Sequence, residues 1–416
     1  MTGWLTLTDG ERRTSIDQAA IRSGIIAKAI EKDWWITLTL KALFTSAYAK
    51  HLIFKGGTSL SKGWKLIERF SEDIDIALEP TAFGREYKKQ PSHSYVKSLK
   101  KEGCAFTSTV LKEALEKQYT ELGVPENTIT ITASPVPETL PDRDPQTLYV
   151  SYKSLYPPHP YLADEVKIEF SVRSLREPFA TVKIQSILSE AFPNPAYAEI
   201  PFDVVAVEPR KTLLEKTFLL HEKFLTRDAG QVPGERQSRH LYDLIRMMDT
   251  AAEERAREDH EFYKVLLEHR SSYIRLKGVD YDTLKPSTLS FVPPDDLMEL
   301  FRDDYIRMQG GMIYGESPDF ETVIDQLRLL NGRFRVIGQG RTLEEIIAKA
   351  QPDLNSLEGA YEDGAIANPF VEYRGDAYET ASPSNRTATY KIRFIRRRNN
   401  WIFHSIEIDN PLLSQA

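Results

Sequence analysis

The chain has 416 residues, too many for one ordinary hydrophobic core, so two or three domains are expected. With 41% hydrophobic and 28% charged residues and no apolar run of 18 or more, the composition is that of a soluble globular protein and excludes a membrane span. The single cysteine, Cys104, excludes an internal disulfide framework and Cys-based zinc sites, and a net charge of -7 excludes a surface coated in positive charge, though not a local basic patch.

The N-terminal stretch Met1 to Ser15 lacks a basic segment followed by an apolar core, so no secretory signal is expected and a cytoplasmic protein is the default. Thr14 to Lys32 has helical spacing, with Thr14 or Ser15 as cap and Gly24 as a break point. From Asp33 a second helical run follows, dense in Trp34, Trp35, Leu38, Leu40, Leu43 and Phe44. Its aromatics read as core, not as a surface for stacking bases.

An apolar run, His51 to Phe54, feeds into Gly56-Gly57-Thr58, and a helix of about three turns is expected after it. Ser71 to Leu78 then reads as a strand. Side chains alternate along a strand, so Asp73 and Asp75 point one way and Ile74 and Ile76 point into a core. Two carboxylates beside a glycine turn that opens a helix can hold Mg²⁺ and a triphosphate together.

Arg85 to Gln118 is expected to be helical and polar, interrupted at Pro91 and Gly103. It opens with a basic run, Arg85, Lys88, Lys89, Lys97, Lys100 and Lys101, against Glu86 alone. That run is either a solvated loop and helix face or a groove for a polyanionic acceptor such as RNA. Thr128 to Ala133 and Gln146 to Leu155 read as strands around a Pro-rich loop, Ser134 to Pro145. Asp164 to Val172 alternates cleanly, with Glu165, Lys167, Glu169 and Ser171 on one face and Val166, Ile168, Phe170 and Val172 on the other. It suits a third metal-binding carboxylate, Glu169 first and Glu165 second; the bland alternative is a solvated face with a Lys-Glu pair.

Asp203 to Glu208 is a last short strand before the composition turns helical. Arg210 to Leu225 carries an apolar stripe of Leu213, Leu214, Phe218 and Leu225, with Lys216 on a polar flank. Glu235 to Thr250 places Arg236, Arg239, Asp243 and Arg246 on one side of a helix. Ala251–Leu267, Asp295–Arg302 and Val323–Leu330 are further helices, and Asp303 to Ile313 is expected to join the same bundle. Past residue 335 come a short helix, Thr342 to Ala350, with a capping box from Thr342 to Glu345, and strands at Pro369–Glu379, Ala388–Ile395 and Trp401–Ile408. The eight histidines are scattered and form no helical H-x-x-x-H pair, so zinc chemistry is not expected.

Nucleotidyl transfer asks little covalent help of a protein. It needs metal ions and cations to align the triphosphate and the nucleophile and to offset growing charge. Asp73, Asp75 and Glu169 supply carboxylates, backbone N–H groups at Gly56, Gly57 and Thr58 supply phosphate donors, and the Thr58 or Ser59 hydroxyl adds another. A lysine such as Lys216 can neutralise the departing pyrophosphate.

A GG-(S/T) followed after a helix by D-x-D resembles the signature of the DNA polymerase β-like nucleotidyltransferase superfamily. The fuller string, KGGTSLSK with RFSEDIDIAL, resembles the AbiEii/AbiGii-type nucleotidyltransferase toxins of type IV toxin–antitoxin and abortive-infection systems. Glu31-Lys32-Asp33-Trp34-Trp35 resembles that family's N-terminal helix, Val166-Lys167-Ile168-Glu169 its second acidic motif, and Leu214-Glu215-Lys216 its third motif. Arg239 to Leu244 resembles the fourth, R-x-x-D-L-like motif, with Asp243 as its acid and one residue more in the spacing. The likeness covers about residues 10–335 and leaves out the last 80 or so.

The resemblance implies a Mg²⁺-dependent (or Mn²⁺-dependent) NTP transferase. Some relatives add nucleotides to the 3′ end of tRNA, which blocks aminoacylation and translation, others are linked to GTP binding, and a neighbouring antitoxin neutralises toxicity with or without touching the toxin; abortive-infection members serve anti-phage defence. The expectation is an α/β (α+β) nucleotidyltransferase-like mixed sheet with helices over 1–207, a helical domain over 208–335, and a small α+β module over 336–416. Catalytic roles fall to Asp73, Asp75, Glu169, Lys216 and Asp243, and nucleotide binding to Gly56, Gly57, Thr58, Ser59 and Lys216. The metal would lie on Asp73, Asp75 and Glu169, with an RNA such as tRNA guided by Arg85, Lys88, Lys89 and Lys97. The alternatives are transfer to a protein or small-molecule hydroxyl, and a regulatory protein that binds GTP or ATP without turnover.

Overall fold

A computed structural model describes residues 1–137, 139–159, 162–192, 199–226, 236–354, 362–366, 371–379, 382–398 and 400–412. The first two positions of the strand expected from 369 lie outside these residues. The chain divides into two compact units. The first comprises Met1–Thr212, Glu268–Arg275 and Met312–Glu316; the second comprises Leu213–Leu267, Leu276–Gly311 and Ser317–Ala416.

The first unit is built on a mixed sheet of seven strands, β1 Leu52–Lys55, β2 Asp73–Leu78, β3 Ile129–Ala133, β4 Gln146–Tyr152, β5 Glu165–Ser171, β6 Phe179–Ile184 and β7 Phe202–Val207. Their order across the sheet is β3-β4-β5-β2-β1-β7-β6. The β2–β5 and β1–β7 pairs are parallel and the remaining four are antiparallel. This is the mixed α/β sheet expected. One strand, β6, was not anticipated, although Phe179 to Ile184 has the β-rich composition of a strand.

Helix Ala27–Thr45 supplies much of the core. Trp34 and Trp35 are buried there, with Trp34 4.4 Å from Trp4 and Trp35 stacked at 4.7 Å on Tyr152 of β4. Complete burial of Ile74 and Ile76 beneath β2 contributes about 1.5–3 kcal/mol each. The first helix, Asp9–Ser23, begins earlier than expected because Thr8 and Glu11 form a reciprocal capping box. It ends as expected at Gly24, whose φ of 72° is open to glycine at little cost.

Two interruptions between 85 and 118 came out differently. Residues 85–92 carry no helix, and Ser92 caps a helix that starts at His93. Gly103 does not break that helix, His93–Phe106; a Cβ there would sit 2.5 Å from Val172 Cγ1, so the glycine serves the close approach of the helix to the end of β5. Met312 and Ile313, expected in a helical bundle, instead lie against the first unit: Phe70 N–H donates to the Met312 carbonyl at 2.7 Å, and Ile313 bridges to Arg69.

In the second unit, the run expected from 251 to 267 is two helices, Ala251–Glu258 and His260–His269, parted at Asp259. Thr342 and Glu345 form the expected reciprocal cap before helix Leu343–Leu354. Strands β8 Val371–Glu379, β9 Ser382–Arg397 and β10 Asn400–Asp409 make an antiparallel sheet ordered β10-β9-β8. Helix Phe320–Arg335 lies close on β10, since a Cβ on Gly332 would sit 2.6 Å from Phe403 Cζ. Leu343, Ile346, Ile392, Phe394 and Ile406 form the core beside it.

Candidate functional site

The parallel pairing of β2 with β5 sets Asp73 opposite Lys167 and Asp75 opposite Glu169. Residues paired across adjacent strands project to the same face, about 4.8 Å apart. Asp73 and Asp75 are half-buried between the buried Ile74 and Ile76; Lys167 and Glu169 are half-buried between the buried Val166, Ile168 and Phe170. The sheet therefore gathers three carboxylates from two strands whose paired residues lie 94 positions apart in the chain, with one lysine among them.

Lys167 Nζ lies 2.7 Å from Glu169 Oε1. Burial pulls the Lys167 ammonium down, but the hydrogen bond to Glu169 and the charges of Asp73, Glu169 and Asp75 outweigh it and hold its pKa above the usual lysine value. The Lys-Glu pair weighed as the bland reading is thus present, and it sits inside the acidic cluster. Among the described residues no three His, Cys, Asp or Glu side chains are already gathered at metal-ligating distance. The donor set still suits a hard divalent cation, because its ligands are carboxylate oxygens from one face.

The glycine turn is shaped around the same carboxylates. β1 pairs antiparallel with β2, and Lys55 lies opposite Asp75. Gly56 follows with a φ of 78°, and a Cβ there would overlap the Asp75 carboxylate. Only glycine permits both that dihedral and that approach. A Cβ on Gly57 would come 2.5 Å from the Arg69 guanidinium and 3.0 Å from Ser71 Oγ. The helix beyond is shorter than expected, Gly56–Thr58 continued by a wide turn at Ser59–Gly63. Single wide turns of this kind concentrate at functional sites.

The Thr58 hydroxyl lies 2.9 Å from Ser71 Oγ and donates to the Asp73 carbonyl, while the Ser59 hydroxyl donates to the Gly56 carbonyl at 2.8 Å. Both residues are fully buried. These hydroxyls brace the turn against β2, which leaves the backbone N–H groups as its donors toward a phosphate. Arg69 and Ser71 line a cavity of about 420 Å³ together with Arg22, Lys62 and Lys65. Lys62 is not a surface residue: it is buried and its Nζ pairs with Asp33 at 2.5 Å.

The charges of Glu31-Lys32-Asp33 are also buried. Lys32 pairs with Glu72 at 2.6 Å, Asp33 accepts the Ile187 N–H at 2.7 Å, and Glu31 accepts the Leu155 N–H at 2.7 Å. This network ties helix Ala27–Thr45 to the turn before β2 and to the segments flanking β5 and β6. Beyond the aromatics and the family likeness of this stretch, charges inside an otherwise apolar helix are the sequence signal for this network.

In the second unit, Lys216 and Asp243 meet. Lys216 stands on helix Pro209–Leu225 and Asp243 on helix Ser238–Met247, with Lys216 Nζ 2.9 Å from Asp243 Oδ2 and 3.3 Å from His240 Nδ1. Asp243 is fully buried and Lys216 nearly so, which corrects the expected polar flank. Leu225, expected in the apolar stripe, is exposed, and Leu220 is buried instead. Arg236 precedes the helix with a φ of 62° and so does not share the face of Arg239 and Asp243. Asp304 accepts the N–H groups of Arg236 and Ser238 at 2.6 and 2.7 Å, capping that helix from a distant part of the sequence. Lys223 is lowered to about 8, by burial first and then by the like charges of Arg239 and Lys216.

The basic run divides by environment. Arg85 pairs with Glu102 at 2.9 Å and Lys100 with Asp142 at 2.7 Å, whereas Lys88, Lys89 and Lys97 are exposed.

Residues 39–326 match the family model described as "Nucleotidyl transferase AbiEii toxin, Type IV TA system". No curated protein and no solved structure matches the chain.

Proposed function

The chain belongs to the AbiEii nucleotidyl transferase toxin family of type IV toxin–antitoxin systems, and on that premise we propose that it moves a nucleoside monophosphate from an NTP to an RNA hydroxyl, such as the tRNA 3′ end, with Mg²⁺. As a member, it is a nucleotidyltransferase toxin with an NTP substrate and an antitoxin as counterpart. Among the described residues, no helix is long and apolar enough to cross a membrane. The roles below, the three-part division at 207/208 and 335/336, an anti-phage task and a cytoplasmic location belong to the proposal.

The observation that carries it is the register of β2 against β5, which sets Asp75 opposite Glu169 with Asp73 on the same face. Asp73, Asp75 and Glu169 would hold Mg²⁺, which supplies charge neutralisation at the triphosphate. Glu169 also stands to accept the proton of the acceptor hydroxyl as its oxygen bonds to the α-phosphorus and pyrophosphate departs. The Gly56, Gly57 and Thr58 amides cradle phosphate oxygens. We assign Lys216 the charge of the triphosphate, and Asp243 the orientation of Lys216 through their 2.9 Å pair.

The test incubates the purified protein with each labelled NTP, Mg²⁺ and total RNA, with Asp73→Asn as control. Label in RNA that vanishes in the control supports the proposal. Label in protein alone points to a protein acceptor, and no label with tight NTP binding points to a nucleotide sensor. Label undiminished in Asp73→Asn removes the assigned site.

A further inference from the structure

Resting on the RNA acceptor proposed above, we infer that the exposed ring of Tyr87, stacked on Tyr273 and His269, is the platform on which the single-stranded 3′ end of that RNA lies.

Residues 85–92 form neither helix nor strand, yet they are held firmly. The Tyr273 hydroxyl accepts the Lys88 N–H at 3.0 Å and donates to the Lys88 carbonyl at 2.8 Å. His269 Nε2 donates to the Arg173 carbonyl at 2.8 Å, which leaves Nδ1 to accept the Tyr87 O–H at 2.9 Å. His269 and Tyr273 are brought together by the wide helical turn Arg270–Ile274, their rings 4.7 Å apart and 19° from parallel. Tyr87 lies on Tyr273 at 5.1 Å and 11°. All of these residues belong to the first unit.

The stack is ordinary packing as far as its two inner rings go; both are buried. The outer ring is the exposed one, with Tyr87 45% accessible. Beside it Lys88 and Lys89 are exposed and make no ion pair among the described residues. Lys88 Nζ and the Arg85 guanidinium lie 4.4 and 4.9 Å from the Tyr95 ring centre. A rigid aromatic face bordered by cations fits unpaired bases on a phosphate backbone, because every base offers a π-face and each phosphate a charge. A duplex keeps its base faces stacked inward and has no use for the ring.

The platform is anchored to the strand that carries Glu169. Arg173, whose carbonyl holds His269 and whose side chain pairs with Asp144 at 2.7 Å, lies four residues beyond Glu169 and just past the end of β5. Four residues span at most about 13 Å, so the carbonyl that anchors the platform lies within that reach of Glu169.

The experiment measures transfer of label from NTP to total tRNA by the full chain, with RNA concentration varied, alongside calorimetric NTP binding. Tyr87→Ala is expected to raise KM for RNA about ten-fold, leaving kcat and NTP affinity within about two-fold. Tyr87→Trp and Tyr87→Phe keep a ring and are expected to stay near the wild-type KM. If Tyr87→Ala has the wild-type KM, or Tyr87→Phe is as impaired as Tyr87→Ala, the platform is wrong while the RNA acceptor stands. If the wild type labels no RNA, both fall.

Discussion

Lys167 Nζ sits 2.7 Å from Glu169 Oε1, on the face that also carries Asp73 and Asp75. A lysine there balances carboxylates that would otherwise repel one another, and it competes with any divalent cation for the same oxygens. Replacing it with methionine is expected to tighten Mn²⁺ binding several-fold, read by electron paramagnetic resonance of the free ion. Binding unchanged or weaker in Lys167→Met would count against a metal at these carboxylates.

Gly56 cannot be replaced cheaply. Its φ of 78° strains an alanine, and the new Cβ would drive into the Asp75 carboxylate. Gly56→Ala should lose about 2 kcal/mol of stability, measured by urea unfolding, and its transferase activity should fall with that of Asp75→Asn. A variant with wild-type activity would show that Asp75 is free to shift without consequence.

The Lys216–Asp243 pair makes a separable prediction about stability and chemistry. Asp243 is fully buried, so Asp243→Ala removes an acidic partner from the buried Lys216 ammonium and should cost about 3 kcal/mol. The double variant Lys216→Met, Asp243→Leu should regain much of that loss in denaturant titration. It should remain inactive if Lys216 acts on the triphosphate; an active double variant would confine the pair to a structural role.

Lys223 sets a pH dependence. Its pKa falls from 10.5 in the unfolded chain to about 8 in the fold. Between these values the unfolded state binds the extra proton, so stability rises with pH from about 8 to about 10.5. Below about 8 both states are charged and the fold carries the full penalty of the half-buried ammonium. Lys223→Met should melt higher than wild type at pH 7, and the gap should narrow as pH rises towards 10. A constant gap would mean that Lys223 does not titrate in this window.

The alternation of Asp73-Ile74-Asp75-Ile76 and of Val166 to Phe170 was legible because each strand buries one face, and burial leaves a period of two in the sequence. The pairing of those strands was not, since nothing local encodes a parallel register between partners 94 positions apart. Gly103 misled for the same reason: its meaning is set by Val172, far along the chain. Asp304 capping Ser238, and Tyr273 holding Lys88, are likewise properties of the fold. Thr8 with Glu11 is different, because the capping pattern T-x-x-E is present in the sequence itself. Buried Lys216 shows the limit of reading charge as exposure: its place on a polar flank suggests surface, and it has an acidic partner inside.

The family match ends at residue 326, inside helix Phe320–Arg335, and the far half of that helix carries Gly332, pressed against Phe403 of β10. The terminal sheet therefore packs on the very helix in which the family match ends. It grows from an element it shares, as a graft grows from the wood of its stock. A deletion after Arg335 would strip the cover from Leu329 and Gly332 and leave that helix with a bare apolar side. Whatever residues 336–416 do, they also serve the helix in which the family match ends, as the cover of its apolar side.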